Sequence, residues 1–158
     1  MKKTIAFIDS QNLYLGATSE GWSIDYRKLR LWLKNKYSVT DAYMFFGYIK
    51  ESTALYDHLE QCGFALKFRE IENIKGYIKG NVDIDMAIMA VAEIRNYDKA
   101  YLMTSDGDFF SLVKYLQKEE KFGGVFSPNR HTCSKLLKQG CEGQIRYLCD
   151  HREKIGKK

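Results

Sequence analysis

Short apolar runs alternate along the chain with longer stretches in which apolar residues recur three and four positions apart. The short runs have the length and composition of β-strands; five are clear and one is weaker, and they cover residues 4–8, 41–46, 64–69, 100–104, 124–127 and, the weaker one, 145–148. The longer stretches predict amphipathic helices. Their apolar positions are Tyr26, Leu29 and Leu33; Leu55 and Leu59; Met86, Ala87, Ala90, Val91 and Ile94; and Phe109, Leu112, Val113 and Leu116, with a short fifth helix at residues 134–138.

This alternation predicts a three-layer α/β/α fold with a mainly parallel, Rossmann-like sheet. Because β-α-β units cross over right-handed, the carboxyl ends of the strands open on one edge of the sheet, where ligands bind. The length of 158 residues fits one domain, which we place at residues 1–150, followed by a basic tail at 151–158. Residues 76–81 and the tail are expected to be flexible.

Composition narrows the class of protein only slightly. Lys and Arg number 25 against 20 Asp and Glu, a formal charge of +5 that favours a polyanionic partner without requiring one. The four cysteines form no C-x-x-C pair, so we expect reduced thiols in a cytoplasmic protein and no structural zinc. The N-terminal apolar run is cut off by Asp9, which argues against an export signal. No apolar stretch approaches the ~20 residues needed to cross a bilayer.

Acidic residues stand at the positions where this architecture brings strand ends together. Asp9 follows the first predicted strand, Asp106 and Asp108 follow the fourth, and Asp83 and Asp85 open the third helix. If the first and fourth strands are neighbours, these carboxylates share a pocket suited to Mg²⁺ or Mn²⁺, which take oxygen ligands. Taken singly, Asp83, Asp85 or Asp108 could simply cap a helix. Two acids at each of two helix starts exceed that need and indicate a metal site.

Polar and basic residues flank the acidic positions. Asn12, one helical turn beyond Asp9, can present its amide to a phosphate or water or serve as a turn residue, and Ser10 and Gln11 can add contacts. Basic residues occur before Asp83 and after the fifth strand, where they either hold a phosphate backbone or form a solvated surface. They are Lys67, Arg69, Lys75 and Lys79, and Arg130, His131, Lys135 and Lys138. Tyr77 and Phe110 are candidate base-stacking residues, although Phe110 also fits the core.

Three blocks of the sequence resemble the motifs of a known family. Residues 7–14 (FIDSQNLY) are similar to a strand followed by D-G-x-N-L-Y, residues 79–87 (KGNVDIDMA) to K-G-x-D-V-x-L-A, and residues 104–109 (TSDGDF) to S-G-D-G-D-F. A weaker fourth block is residues 124–127. Together they resemble the NYN domains, a branch of the PIN-like metal-dependent ribonucleases that includes the LabA-like proteins. The likeness runs in order over residues 4–148.

The resemblance implies a role for each matched residue. Asp9, Asp83, Asp106 and Asp108 would bind a divalent metal and carry catalysis, with Asn12 as the accompanying polar residue. Asp85 falls at a position that the family pattern leaves variable and ranks below Asp83 as a ligand. The implied activity is (endo)ribonuclease cleavage of RNA, single-stranded in our expectation, with Mg²⁺ or Mn²⁺. Ser10, Gln11, Lys75, Lys79 and Arg130 would contact the RNA, and a homo-oligomer is left open.

Two departures and several alternatives accompany this interpretation. Ser10 stands where the family commonly has Gly, and Asp106 directly follows Ser105 where the motif often has another Gly, so the backbone at both turns would be less free.

The sequence counts against three other classes of α/β protein that gather acids at strand ends. A haloacid-dehalogenase-like enzyme needs an acid at position 11, which is Gln, and a receiver domain needs an acid beside Asp9, which has none. A Toprim site needs Glu in place of Asp9. The remaining rival is a PIN-like module that binds RNA or protein without cleavage.

Overall fold

The computed structural model of the chain describes residues 2–47, 52–69, 72–74, 77–79 and 82–158. The strands within these ranges are β1 (Thr4–Asp9), β2 (Asp41–Gly47), β3 (Ala65–Arg69), β4 (Glu72–Ile74), β5 (Tyr77–Lys79), β6 (Lys99–Met103), β7 (Phe122–Ser127) and β8 (Ile145–Tyr147). The helices are α1 (Ser10–Ser19), α2 (Tyr26–Tyr37), α3 (Thr53–Gln61), α4 (Asp83–Ala92), α5 (Phe110–Lys118), α6 (Lys135–Gly140) and α7 (Arg152–Ile155), and short 3-10 turns occur at Ile94–Asn96, Gly107–Phe109 and Leu148–His151.

The six strands predicted from the sequence form one parallel sheet, in the order β3-β2-β1-β6-β7-β8. The first and fourth predicted strands, β1 and β6, are neighbours, with Ile8 opposite Met103. Their carboxyl ends therefore meet at one edge of the sheet, near its centre. The predicted fold class and this adjacency are both confirmed.

Helices cover both faces of the sheet, because successive strand residues point to opposite sides. In β1, Ala6 and Ile8 belong to one apolar cluster and Ile5 and Phe7 to the other, and all four are almost fully buried. The first cluster also takes residues from α1, α2, α3 and α7, and the second takes residues from α4, α5 and α6. The chain thus has the three layers expected of an α/β/α protein.

The apolar pattern did not predict α1. Its buried residues are Ser10, Leu13, Gly16 and Ala17, three of which are small or polar, so its apolar face is weak. Pro128 packs directly against Gly16 and leaves no room for a side chain there, since a Cβ at position 16 would lie 2.5 Å from the Pro128 Cβ. The helix is held by an interaction that is distant in sequence, which local periodicity cannot reveal.

The antiparallel hairpin of β4 and β5 was also not predicted. It covers part of the loop expected at residues 76–81, in which Tyr77–Lys79 is a strand. Residues 75, 76, 80 and 81 lie outside the described residues. Both strands are only three residues long, which is too short for a clear period-two signal.

The expectation of a flexible tail is wrong. Residues Arg152–Ile155 form α7, and Ile155 is fully buried. The Ile155 carbonyl accepts a hydrogen bond from the Asp25 N–H (2.8 Å), and the Lys157 N–H donates to the Ser23 carbonyl (2.9 Å). Ile155 anchors this charged segment because its side chain packs into the apolar core.

The helices of the described residues are all too short or too polar to span a bilayer.

Candidate metal centre

The acidic residues after β1 and β6 are fixed by helix capping. Asp9 ends β1, and its Oδ1 accepts a hydrogen bond from the Asn12 N–H (3.2 Å) at the start of α1. Asp106 precedes the 3-10 turn, and its Oδ1 accepts from the Asp108 N–H (2.9 Å). Each carboxylate is thereby held at the edge where the two strands end. The sequence offered capping as the alternative role of Asp83, Asp85 and Asp108, whereas the carboxylates that cap are those of Asp9 and Asp106. The α4 N-cap is Val82, so Asp83 does not cap that helix.

Three carboxylates converge at this edge. One oxygen from each of Asp83, Asp106 and Asp108 lies within 4.8 Å of the other two, and the three side chains range from half-buried to exposed. Asp83 is the first residue of α4, which packs against β1 and the Gly107–Phe109 turn. Residues that are more than twenty positions apart in sequence are therefore brought together by the sheet edge and one helix start.

The electrostatics of the cluster are unfavourable without a cation. Burial raises the pKa of Asp83 to about 7, helped by a hydrogen bond with Asp106 and by the negative charges of Asp9, Asp106 and Asp108. Burial also raises the pKa of Asp9, which is 7% exposed; the Asn12 N–H opposes that rise and the Asp106 charge adds to it. Asp9 therefore contributes its charge to the site although it is not one of the three convergent carboxylates. Mutually repelling acids of this kind favour a bound cation.

A network of short polar side chains supports the acidic edge. The Ser105 N–H donates to Asn12 Oδ1 (2.8 Å), which ties α1 to the loop after β6. The Ser105 and Ser127 hydroxyls share a hydrogen bond of 2.8 Å, and the Asp106 N–H donates to Thr104 Oγ1 (3.2 Å). Thr104, Ser105 and Ser127 are buried. Thr104 and Ser127 were not predicted to support the site. The sequence signal that marks them is a polar residue at the carboxyl end of an apolar strand.

The glycine between Asp106 and Asp108 has a steric reason. A Cβ at Gly107 would lie 2.4 Å from Ser134 Oγ and 3.0 Å from Ser134 Cβ. Ser134 caps α6 and donates its N–H to the Ser105 carbonyl (3.0 Å), so it is fixed in place. The turn that carries two of the three acids is thus packed directly against the start of α6.

The two departures from the family motif do not strain the backbone. Among the described residues, the non-glycine residues with positive φ are Ser38, Glu120 and Glu142, and neither Ser10 nor Ser105 is one of them. Ser10 begins α1 and is buried, and its hydroxyl has no hydrogen-bond partner among the described residues. Serine therefore fits both turns without strain, because no left-handed conformation is needed there.

The other residues predicted for the site lie in several different places. Asp85 is not part of the cluster in the described structure, since two positions along a helix turn the side chain by about 200° away from Asp83. Gln11 is exposed beside the site. The Arg130 guanidinium pairs with Asp150 (2.5 Å) and lies over the Tyr147 ring. Lys75 and the side chain of Lys79 lie outside the described residues.

Two more of the flanking residues, Lys67 and Phe110, contact other side chains. The Lys67 ammonium lies over the Tyr43 ring, at 5.6 Å from its centre. Phe110 is half-buried, with the Lys114 ammonium over its ring. It also fills the space beside Gly140, where a Cβ would lie 2.6 Å from the ring, so it packs against α6. The side chain of Tyr77 lies outside the described residues.

The donor set of the cluster fits a hard divalent cation. All three convergent groups are carboxylates, and Mg²⁺ and Mn²⁺ are held in proteins by carboxylate oxygens together with water and phosphate oxygens. No cysteine or histidine of the described residues joins the group, which argues against a zinc-type site. The arrangement can therefore hold an ion of this class at the carboxyl edge of a parallel sheet.

The chain is an α/β/α protein with a parallel sheet and an acidic cluster at the edge where β1 and β6 end. The model of the NYN domain family matches residues 3–148, and the chain belongs to this family. It is 24% identical over 125 residues to the low amplitude and bright protein LabA of Synechococcus elongatus, an alignment that covers 72% of this chain and 67% of LabA. The solved structure of a protein of unknown function from Vibrio parahaemolyticus matches with a TM-score of 0.80 and 20% identity over 93% of each chain, a likeness of fold.

Proposed function

We propose that the protein is a divalent-metal-dependent ribonuclease that cleaves single-stranded RNA at the carboxyl edge of its sheet. The observation that carries this proposal is the convergence of Asp83, Asp106 and Asp108 beside the buried charge of Asp9, in a chain of the NYN domain family. A cluster of mutually repelling acids gives no advantage to a protein that only holds a polyanion. It is explained when a cation bound between the acids and the phosphate takes part in the reaction.

The residues of the site would divide the work as follows. Asp83, Asp106 and Asp108 would hold Mg²⁺ or Mn²⁺, which when bound polarises a phosphoryl oxygen and lowers the pKa of a water. Asp9 adds negative charge from a buried position. Asn12 keeps the start of α1, and hence Asp9, at a fixed distance from the loop of Asp106 through its hydrogen bond with the Ser105 N–H. These positions are set by the backbone before any substrate arrives, which is the condition for efficient catalysis.

The RNA would lie across the same edge. Ser10 and Gln11 at the start of α1 are the proposed contacts next to the acids, and Lys75, Lys79 and Arg130 are proposed contacts to the backbone on either side. Arg130 would exchange its exposed ion pair with Asp150 for a phosphate, at small cost because exposed pairs contribute roughly 0–1 kcal/mol. A cytoplasmic location and assembly into a homo-oligomer stay predictions.

The direct test is cleavage of a fluorescently labelled single-stranded RNA with Mn²⁺ or Mg²⁺, with and without EDTA. We expect Asp106→Asn to lower the cleavage rate by at least about 100-fold, because it removes a metal ligand while the Asn side-chain oxygen can still accept from the Asp108 N–H. Asp85→Asn is the matched control, since it removes an acid from the first turn of α4 outside the cluster.

Two outcomes would contradict the proposal. Normal cleavage by the Asp106→Asn protein would show that the acidic cluster is not the catalytic site. RNA binding by the wild-type protein without product at any metal concentration would instead identify a binding module, the rival left open by the sequence.

A further inference from the structure

Helix α2 carries an unusual concentration of positive charge. Its sequence YRKLRLWLKNKY has five Lys or Arg residues and no acid. Arg30 has a structural role, because its guanidinium donates to the carbonyls of Val39 (3.2 Å), Thr40 (3.0 Å) and Gly63 (3.1 Å) and so fixes the end of the helix. Lys28 and Lys36 make no such hydrogen bonds with the described backbone, although the Lys36 ammonium lies over the Tyr37 ring, 5.8 Å from its centre. Unlike Arg30, these two lysines do not tie segments of the fold together.

These two lysines line an open groove between α2 and α7 together with Lys154. The groove has a volume of about 530 Å³, and its lining residues are Lys28, Leu31, Trp32, Asn35, Lys36 and Lys154. The lining contains three cations and no carboxylate. Among the described residues, the ion pairs are Arg130 with Asp150 and Arg152 with Glu20. None of the three groove lysines therefore forms an ion pair with a described acid.

The environment of His151 confirms that positive charge concentrates here. The His151 ring lies 5.0 Å from the ring of Trp32, which lines the groove. Burial lowers the pKa of His151, and the charges of Lys36, Lys154 and Arg146 lower it further, against the opposing effect of Asp150. The cations of α2 and of the segment after β8 therefore act on the same small region.

The groove also has neutral lining residues. Asn35 contributes an exposed carboxamide. The nearly buried Trp32 ring and the half-exposed Leu31 form its apolar floor. Three cations and an amide around this apolar floor can hold the charged phosphates of a nucleic-acid strand, and no carboxylate of the lining opposes that charge.

We propose that the groove between α2 and α7 binds the phosphate backbone of single-stranded RNA, as a second contact outside the acidic cluster. The choice of RNA rests on the proposed function. Lys28 and Lys36 lie about 12 Å apart along the helix, a spacing that spans several backbone phosphates. The orientation of α2 supports the same occupant, because it ends just before Thr40, whose N–H donates to the Thr4 carbonyl at the start of β1. Lys28 is therefore at the end of α2 nearer the carboxyl edge, and Lys36 at the far end.

The test is a binding measurement that does not depend on cleavage. The anisotropy of a labelled oligouridylate is followed in EDTA on the Asp106→Asn background, with and without Lys28→Gln, Lys36→Gln and Lys154→Gln together. The matched control replaces Lys34, Lys99 and Lys118 by Gln, which removes the same charge from exposed positions outside the groove, one of them on α2 itself.

We expect the groove variant to raise the Kd at 100 mM salt at least about 10-fold and the control variant less than about 3-fold. The slope of log Kd against log salt should fall by about 2 in the groove variant, because roughly 0.7 counterions are released per phosphate contact on single strands. Equal losses in the two variants would overturn the proposal, since net charge alone would explain them. Tighter groove-dependent binding of a polyglutamate peptide than of RNA would also overturn it and indicate an acidic protein partner.

A second measurement applies if the groove variant does not fold. The wild-type protein is acetylated at lysine with and without RNA, and the modified residues are quantified by mass spectrometry. Protection of Lys28, Lys36 and Lys154 but not of Lys34 and Lys118 supports the groove, and equal protection of both sets contradicts it. Groove-dependent binding by a protein that never cleaves RNA would leave this inference standing while the ribonuclease proposal fails.

Discussion

At the scale of single residues, Asp83 shows how position converts an ordinary carboxyl group into a group sensitive to its surroundings. It is half-buried, it shares a hydrogen bond with Asp106, and three other carboxylates act on it. Burial is the largest cause of its raised pKa and repulsion adds to it. Asp83 therefore costs the folded protein stability when it is ionised, and under the proposed function the same carboxylate would be a metal ligand.

The raised pKa of Asp83 predicts a pH-dependent cost to stability. In the absence of metal the folded protein keeps the Asp83 proton up to about pH 7, whereas the unfolded chain loses it near the ordinary value of 3.8. The contribution of Asp83 to the free energy of unfolding therefore falls as pH rises from about 4 to 7 and stays low above that range. Asp83→Asn should remove this fall, so its Tm in EDTA, relative to wild type, should be higher at pH 8 than at pH 4.

The measurement is thermal unfolding by circular dichroism at both pH values, with Asp85→Asn as the control. The Asn amide can still donate to Asp106, as the protonated acid does, so the two proteins should agree most closely at low pH. A difference in Tm that does not change with pH would show that repulsion at Asp83 is not the cause.

At the scale of elements, the important contact is between α1 and the segment after β7. Gly16 faces Pro128, and the Asn129 side chain donates to the Gly16 carbonyl (3.3 Å) and to Ser19 Oγ (2.8 Å). These contacts hold α1 against the sheet, and α1 begins with the residues that follow Asp9. The position of the buried acid thus depends on a helix whose own apolar face is weak.

Gly16→Ala should destabilise the protein although alanine favours helices more than glycine by about 1 kcal/mol. The added methyl would lie 2.5 Å from the Pro128 Cβ and 3.2 Å from the Pro128 carbonyl carbon, so the backbone must move. We expect a loss of about 1–3 kcal/mol in the free energy of unfolding, measured by urea denaturation. Leu15→Ala, at a side chain 53% exposed on the same helix, should change it by less than about 0.5 kcal/mol. Increased stability of Gly16→Ala would show that the contact is loose.

At the scale of the whole molecule, the residues after the last strand return to the start of the chain and complete the core. Ile155 joins the apolar cluster that contains Leu29 and Leu33 of α2, and Ile24 forms a bridge with Gly156. The groove proposed to bind RNA exists because α7 is held in this place. The packing of Ile155 against α2 therefore orders the tail and also places Lys154 in the groove.

Ile155→Ala should lower the free energy of unfolding by about 2–5 kcal/mol, the usual cost of truncating a fully buried aliphatic side chain. Chemical denaturation measures the effect, and Lys158→Ala at an exposed position is the control. A loss as small as that of the control would mean that the tail is not part of the core in solution.

The sequence predicted the sheet and the acidic positions because both depend on local pattern. Most of the six strands are short apolar runs, and Asp9 and Asp106 are placed by strand ends that a parallel sheet brings together. The supporting contacts could not be predicted, since Asn12 and Ser105 are 93 residues apart and Gly16 meets Pro128 across the fold. The separation of Asp83 from Asp85 follows from the rotation of about 100° per residue in α4. Because the sequence already placed both residues at the start of that helix, this separation could have been predicted.

The two capping carboxylates have a consequence for what the site can tolerate over evolutionary time. Asp9 and Asp106 each commit Oδ1 to a backbone N–H, which leaves Oδ2 for other partners. A glutamate would conserve the charge but place both oxygens one methylene farther out. It could not accept the backbone hydrogen bond and keep its second oxygen at the acidic edge at the same time. Substitution by the chemically nearest residue is thus penalised twice, and aspartate at these positions is a requirement of length as much as of charge.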